Sequence, residues 1–213
     1  KEKLRTGSNP GGAPSILEVI SGEAEMREVI QPTQFKNLAV APSIPQLADA
    51  EAGLAQVNDR FTRLAKALRT VSDDYDIAII DSPPSLSLLT LNVLVASDCV
   101  LLPVQAEFYA LEGLTQLLET MKLVRQSLNP TLDLLGVLVT MMDSRTALSQ
   151  QVYEEVAKYF PGKIMKTSIP RNVRLAEAPS HGLPVGAYDR FSKGARAYKA
   201  AAAEVAQRIG WAG

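Results

Sequence analysis

The 213 residues carry 46% hydrophobic and 21% charged side chains, with 13 glycines and 13 prolines, which is the make-up of one well-cored domain and excludes a disordered, collagen-like or disulfide-stapled chain. One cysteine, Cys99, cannot close an internal disulfide, and with one histidine, His181, it cannot build a Cys/His metal cluster. The net charge of −1 hides an asymmetry: from Lys163 to Gly213 nine basic residues face three acidic ones, leaving the rest of the chain at −7, so the last quarter is a candidate polyanion-binding face as well as an ordinary solvated surface.

In chain order, short β-branched runs alternate with longer helical patterns, the signature of parallel strands joined by helical crossovers. The expected strands are Leu38–Pro42, Ile77–Asp81, Cys99–Val104, Leu134–Met141 and Ile164–Ile169, and the expected helices are Ser15–Ile20, Ala48–Val71, Ser85–Ala96, Leu111–Leu128, Ala147–Phe160 and Ser192–Ile209. The runs Ile77-Ala78-Ile79-Ile80 and Gly136-Val137-Leu138-Val139 are unbroken rather than alternating, as expected for central strands covered on both faces. The implied architecture is α/β, an open and mostly parallel sheet with helices on both faces, in a single domain over residues 1–213 with neither repeat nor interdomain linker. Lys1–Pro14 is charged and Gly/Pro-rich with no strand before the first helix, so the sheet is expected to be incomplete at its N-terminal side. The apolar run Cys99–Ala106 falls far short of the ~18 residues of a spanning helix, and no basic-then-apolar signal segment opens the chain, so a soluble, cytoplasmic protein is expected.

The sharpest chemical feature is Asp76-Ile77-Ala78-Ile79-Ile80-Asp81-Ser82-Pro83-Pro84. A carboxylate at the C-terminal end of a buried parallel strand lies where open α/β sheets bind ligands, and there Asp81 can hold a hydrated Mg²⁺ beside a phosphate. The alternative is that Asp81 caps the turn into the next helix. Pro83 and Pro84 can neither donate to a ladder nor continue the strand, so they fix the chain as it leaves the sheet.

The segment Tyr75–Leu91, YDIAIIDSPPSLSLLTL, resembles the Walker B region of the ParA/Soj family of partition ATPases, deviant Walker-type P-loop proteins. The similarity continues in register through Leu101–Gly113, Gly136–Asp143 and Ile169–Ser180, covering nearly the whole chain from about Leu38 onward. The resemblance implies an ATP-dependent switch for chromosome or plasmid partition. ATP held between two subunits makes a homodimer that binds double-stranded DNA without sequence preference on the nucleoid, and a ParB/Spo0J-type centromere-binding partner stimulates hydrolysis. Carried over by position, Asp81 is the Walker B carboxylate acting on Mg²⁺, Pro83 and Pro84 shape the loop behind it, and Met142, Asp143, Pro170, Arg171 and Asn172 hold the adenine of ATP or ADP. The family's Gly-rich loop with two lysines and its D-x-D-P-Q strand end are both missing from this sequence. That loop's N–H groups and lysine cradle the phosphates, so ATP hydrolysis is expected only if an upstream loop exists. The alternative is a non-hydrolysing DNA- or partner-binding paralogue of the same fold.

In Asp189–Lys199, Ser192 is a fitting N-cap, and Lys193, Arg196 and Lys199 follow at i, i+3 and i+6 on one side of a helix whose other side is Ala-rich. With Arg171, Arg174 and Arg190 they form the expected DNA-binding set, suited to salt-dependent phosphate contacts. No recognition helix and no base-reading aromatic platform are evident, which disfavours specific readout. His181 reads as a loop histidine, Asp143 beside Arg145 reads equally as a helix-start cap and ion pair, and the absence of G-x-S-x-G around Ser82 and Ser85 counts against a serine hydrolase. Glu107, Tyr109 and Glu112 are candidates for a subunit interface. The ending Arg208-Ile209-Gly210-Trp211-Ala212-Gly213 is too short and Gly-broken for the amphipathic membrane anchor of MinD-type relatives, so no membrane contact is expected.

Overall fold

The computed structural model describes residues 12–83, 85, 87–107 and 114–211. The readings placed on Lys1–Gly11, Pro84, Tyr109, Leu111 and Glu112 lie outside those residues. The chain divides into two compact units, Arg5–Asp98 with Thr120–Leu132, and Cys99–Glu119 with Lys1–Leu4 and Asp133–Gly213.

The first unit opens with α1 (Ile16–Ser21), started by a capping box in which Ser15 N–H and Oγ both donate to Glu18 Oε2. Gly22 ends the helix at φ +84°, a left-handed conformation only glycine adopts without strain. Arg63 Nη1 donates to the carbonyls of Ile20 and Ser21 at 3.0 and 2.7 Å, satisfying two of the acceptors a helix end leaves open. There follow α2 (Met26–Val29), a two-residue antiparallel pair of β1 (Gln31–Pro32) with β2 (Ala39–Val40), α3 (Glu51–Leu54), α4 (Arg63–Arg69) and α5 (Leu88–Ala96). Their core is Val19, Ile20, Met26, Val29, Leu54, Leu64, Val71 and Leu89. Asn92 is buried inside α5 and fully paired, receiving Leu64 N–H and donating to the carbonyls of Arg60 and Leu88.

Three expectations in this unit are corrected. Leu38–Pro42 contributes only two strand residues, paired antiparallel with β1. Ala48–Val71 is interrupted: after a 3₁₀ turn at Pro45–Ala48 and the single turn of α3, helix resumes only at Arg63. The break falls where Asp59 turns its carboxylate onto Arg63 Nε and Lys66 Nζ, both at 3.0 Å, and its carbonyl accepts from Thr62 Oγ1, local bonding that competes with a continuous helix. Ile77–Asp81 is not a strand but an irregular segment with no ladder partner among the described residues, in which Ile79 is 93% exposed and only Ile80 packs on the core.

The second unit is built on β3 (Cys99–Gln105), the opening of α6 (Leu114–Ser127), which belongs to the first unit from Thr120 onward, and β4 (Asp133–Thr140), with β3 and β4 parallel and a bulge between Val100 and Leu101. Leu102, Val104, Val137 and Val139 face one layer, filled by Leu114, Leu117 and Leu118 of α6 and by Val152, Val156 and Phe160 of α7 (Ala147–Tyr159). Leu101 and Leu138 face the other layer, filled by Ala197, Ala201 and Val205 of the C-terminal helix. Helices therefore cover both faces of the pair, which is why the β4 sequence does not alternate. The chain finishes with α8 (Val173–Glu177), a 3₁₀ turn at Ala178–His181, α9 (Val185–Tyr188) and α10 (Lys193–Arg208).

The expected strand at Ile164–Ile169 is also corrected. This segment runs parallel to β4 and bonds it at both ends, with Met165 N–H to Val137 O and Ile169 N–H to Val139 O, each 2.9 Å. Between these contacts it leaves the ladder, because the N–H groups of Lys166 and Thr167 donate at 2.9 Å to the Glu204 carboxylate of α10. Arg208 completes this clamp, bonding Glu204 and the carbonyls of Leu135, Lys163 and Ile164. Glu204 is held below the ordinary glutamate pKa: burial pushes it up, and the N–H groups of Lys166 and Thr167, the Thr167 side chain and Arg208 outweigh that push.

Candidate functional site

Two clusters in the second unit carry chemistry. The first lies at the C-terminal ends of the parallel strands, where open α/β sheets bind ligands. Ala106 N–H closes onto Thr140 O at 2.9 Å as β3 and β4 end. Met141 then takes φ +56°, turning the chain sharply. Met142 N–H donates to Ile169 O and Arg171 N–H returns to Met142 O, both 3.0 Å, so Met142, Pro170 and Arg171 are stitched together by backbone bonds. Three of the five residues expected to hold adenine are thus neighbours. Asn172 spends its Oδ1 on capping α8 through Arg174 N–H at 3.0 Å.

Asp143 accepts from Arg145 three times, at Nε, Nη2 and the backbone N–H, between 2.8 and 3.0 Å. These hydrogen bonds hold its carboxyl well below the usual aspartate range, and the charge of Arg171 adds to them. Arg171 itself pairs with Glu107 at 3.0 Å, tying the end of β3 to the segment after Ile169. Nothing in the sequence marks Glu107 as that partner, because the pair joins residues 64 positions apart.

Asp81 and Pro83 belong to the first unit, both exposed, and Asp81 makes no hydrogen bond or ion pair among the described residues. An exposed, uncommitted carboxylate fits a hydrated Mg²⁺, whose first shell is largely water. A nucleotide base at these strand ends would meet the backbone of Met142, Pro170 and Arg171. No described segment offers the Gly-rich N–H cradle that its phosphates require.

The second cluster is the opening of α10. Ser192 caps it, accepting from Ala195 N–H at 3.1 Å, and Asp189 braces the approach by accepting the N–H groups of Phe191 and Ser192, both at 3.1 Å. Arg190, Lys193, Arg196 and Lys199 are exposed and, among the described residues, make no ion pair. Gly194 allows the close approach of α8, since a Cβ there would meet Leu175 Cγ at 2.7 Å. Arg174 is already committed, to Glu177 at 2.8 Å and Asp189 at 3.4 Å. His181 stacks on Tyr188 at 4.8 Å between ring centres, in keeping with a loop histidine.

The comparisons with known proteins agree with this geometry. The AAA-domain family model matches residues 5–134. The cobyrinic acid a,c-diamide synthase of Mycobacterium smegmatis, solved with an ATP analogue and magnesium, is 37% identical at a TM-score of 0.79, over 92% of this chain and 73% of that one. The fold is that of the P-loop NTPases, an α/β domain with a parallel sheet covered by helices. The sporulation initiation inhibitor Soj of Bacillus subtilis is 52% identical over 191 residues, 90% of this chain and 76% of that protein. The chromosome partitioning protein ParA of Myxococcus xanthus is 47% identical over 194 residues, 91% of this chain and 69% of that protein. The chain belongs to the ParA/Soj family of partition ATPases.

Proposed function

We propose that this protein is a nucleotide-switched partition protein that binds double-stranded DNA without sequence preference as an ATP-bound homodimer and is stimulated by a ParB/Spo0J-type partner. The observation that carries the DNA reading is the group of four exposed, unpaired cations, Arg190, Lys193, Arg196 and Lys199, at the start of α10. Cations at the N-terminal end of a helix oppose its dipole, and the first turn holds no acidic residue to offset them. The arrangement is unfavourable alone and is relieved by a polyanion. Arg171 and Arg174 form the rim of the same surface, where exchange of an exposed ion pair for a phosphate costs little.

In this reading Asp81 holds Mg²⁺ through water, Pro83 sets the course of the chain behind it, and Met142, Asp143, Pro170, Arg171 and Asn172 border the nucleotide base. Bound nucleotide and metal supply the phosphoanhydride chemistry. The chain's own residues orient the base and hold the metal's water. The second reading is a DNA- or partner-binding protein of the same fold that does not hydrolyse ATP.

The test is an ATP titration in Mg²⁺ followed by a gel shift of duplex DNA with ATP and with ADP. Binding of ATP and an ATP-dependent shift support the switch. A shift that ignores nucleotide selects the second reading, and no shift at low salt removes both DNA readings.

A further inference from the structure

Beside the unpaired cations stands a feature that phosphate contacts do not use. Phe191 is 73% exposed, although an apolar ring of this size is ordinarily sheltered. It is not left loose: the Asp189 carboxylate accepts the N–H groups of both Phe191 and Ser192, Ser192 Oγ donates to Asp189 O at 2.9 Å, and Asp189 is itself held by Arg174. The turn before α10 therefore presents the ring in a fixed position. The Arg190 guanidinium lies 4.5 Å from the ring centre, covering one face and strengthening the pair as a planar unit. The rest of the ring stands in solvent, one residue after Arg190 and two before Lys193.

We infer that Phe191 is an apolar contact to duplex DNA, seated against the sugar and base surface while Arg190, Lys193, Arg196 and Lys199 engage the phosphates on either side. This rests on the DNA reading above. The occupant follows from charge: Phe191 stands in the chain between Arg190 and the unpaired cations that follow it along α10, Lys193, Arg196 and Lys199, which select a polyanion, and among polyanions a nucleic acid also offers apolar surface between its charges. A single ring of this kind reads no base edge, so it adds affinity without sequence preference. One aromatic residue next to a cation gives no platform pattern along the chain, and only its exposure and its brace single it out.

An ionic contact and an apolar one respond differently to salt. Each phosphate contact releases counterions and steepens the fall of affinity with salt, whereas a stacking contact shifts affinity by the same factor at every salt concentration. The experiment measures the Kd for a short random duplex, with ATP and Mg²⁺, across a salt series for the unmodified protein, Phe191→Ala, Phe191→Tyr and Lys193→Ala. Phe191→Ala is expected to weaken binding roughly ten-fold, as for loss of one stacked contact, with an unchanged log–log slope. Phe191→Tyr should bind within about two-fold of the unmodified protein, because it keeps the planar ring. Lys193→Ala should flatten the slope by about one. A Phe191→Ala line that coincides with the unmodified one, or that loses slope as Lys193→Ala does, overturns the inference while leaving the DNA reading intact. If the unmodified protein fails to bind the duplex, both fall.

Discussion

Two sets of cations share the last quarter of the chain, and the structure separates them. Lys163, Arg171, Arg174 and Arg208 are each paired with a carboxylate, from Asp133, Glu107, Glu177 and Glu204 respectively. Arg190, Lys193, Arg196 and Lys199 have no such partner among the described residues and stand together at one end of α10. Composition counts all eight alike. In the paired set Arg208 spans three carbonyls and Glu204, and Arg171 links the end of β3 to the segment after Ile169. The unpaired set makes no ion pair among the described residues, which leaves its charge for a partner outside the chain.

The largest expected effect is on DNA. Replacing Lys193, Arg196 and Lys199 together by Glu should weaken duplex binding by at least about a hundred-fold at low salt while circular dichroism and melting show an intact fold. Next comes the opposite pattern in the paired set. Arg208→Ala removes the guanidinium's bonds to Glu204 and to three carbonyls, while Glu204 keeps the N–H groups of Lys166 and Thr167, and should lower stability in urea by about 1–3 kcal/mol. A loss below about 0.5 kcal/mol would mean the clamp is ornamental.

Acid should find the same clamp. Glu204 has a lowered pKa in the folded chain, so its contribution is fully present above its ordinary value of 4.5 and is lost as pH falls below it. The unmodified protein should therefore lose stability below about pH 4.5 more steeply than Glu204→Gln, measured by urea midpoints across the pH series. Smaller still is the effect of Lys193→Glu on stability. By placing an acid at the positive end of the α10 dipole it should raise the melting temperature slightly while weakening DNA binding, a pairing of signs that a merely structural lysine would not give. Lys163→Ala, which removes a half-exposed surface pair, should change stability by less than about 1 kcal/mol.

Much of the fold was legible where local pattern decides structure. The Ser192 cap, β3, β4, α7 and α10 lie where propensity, capping and apolar periodicity place them. The two unbroken apolar runs show where legibility ends. Val137 and Val139 are fully buried because α6 and α7 cover one face of β4 and α10 covers the other. Ile77-Ala78-Ile79-Ile80 is as apolar, yet it forms no ladder among the described residues and leaves Ile79 in solvent. A strand exists only through its ladder, and an apolar run states a demand for cover without saying what meets it. The interruption at Lys166–Ser168 was illegible for a related reason: the carboxylate that takes those N–H groups comes from Glu204, 37 and 38 residues away.

The candidate sites divide in the same way. The stitching of Met142 to Pro170 and Arg171 could be placed at strand ends from the sequence alone, because strand ends are where α/β sheets gather loops. The commitments of Arg171 to Glu107 and of Arg174 to Glu177 and Asp189 could not, since charge counting carries no information on pairing. Phe191 was hidden because exposure is a property of the folded turn and not of the residue.

The most direct test of the division between the two sets is the salt dependence of duplex binding for two single variants, Lys199→Ala from the unpaired set and Lys163→Ala from the paired one. Lys199→Ala should flatten the log–log slope by about one and Lys163→Ala should leave it unchanged. Equal slopes for both variants would contradict the assignment of the DNA face to the start of α10.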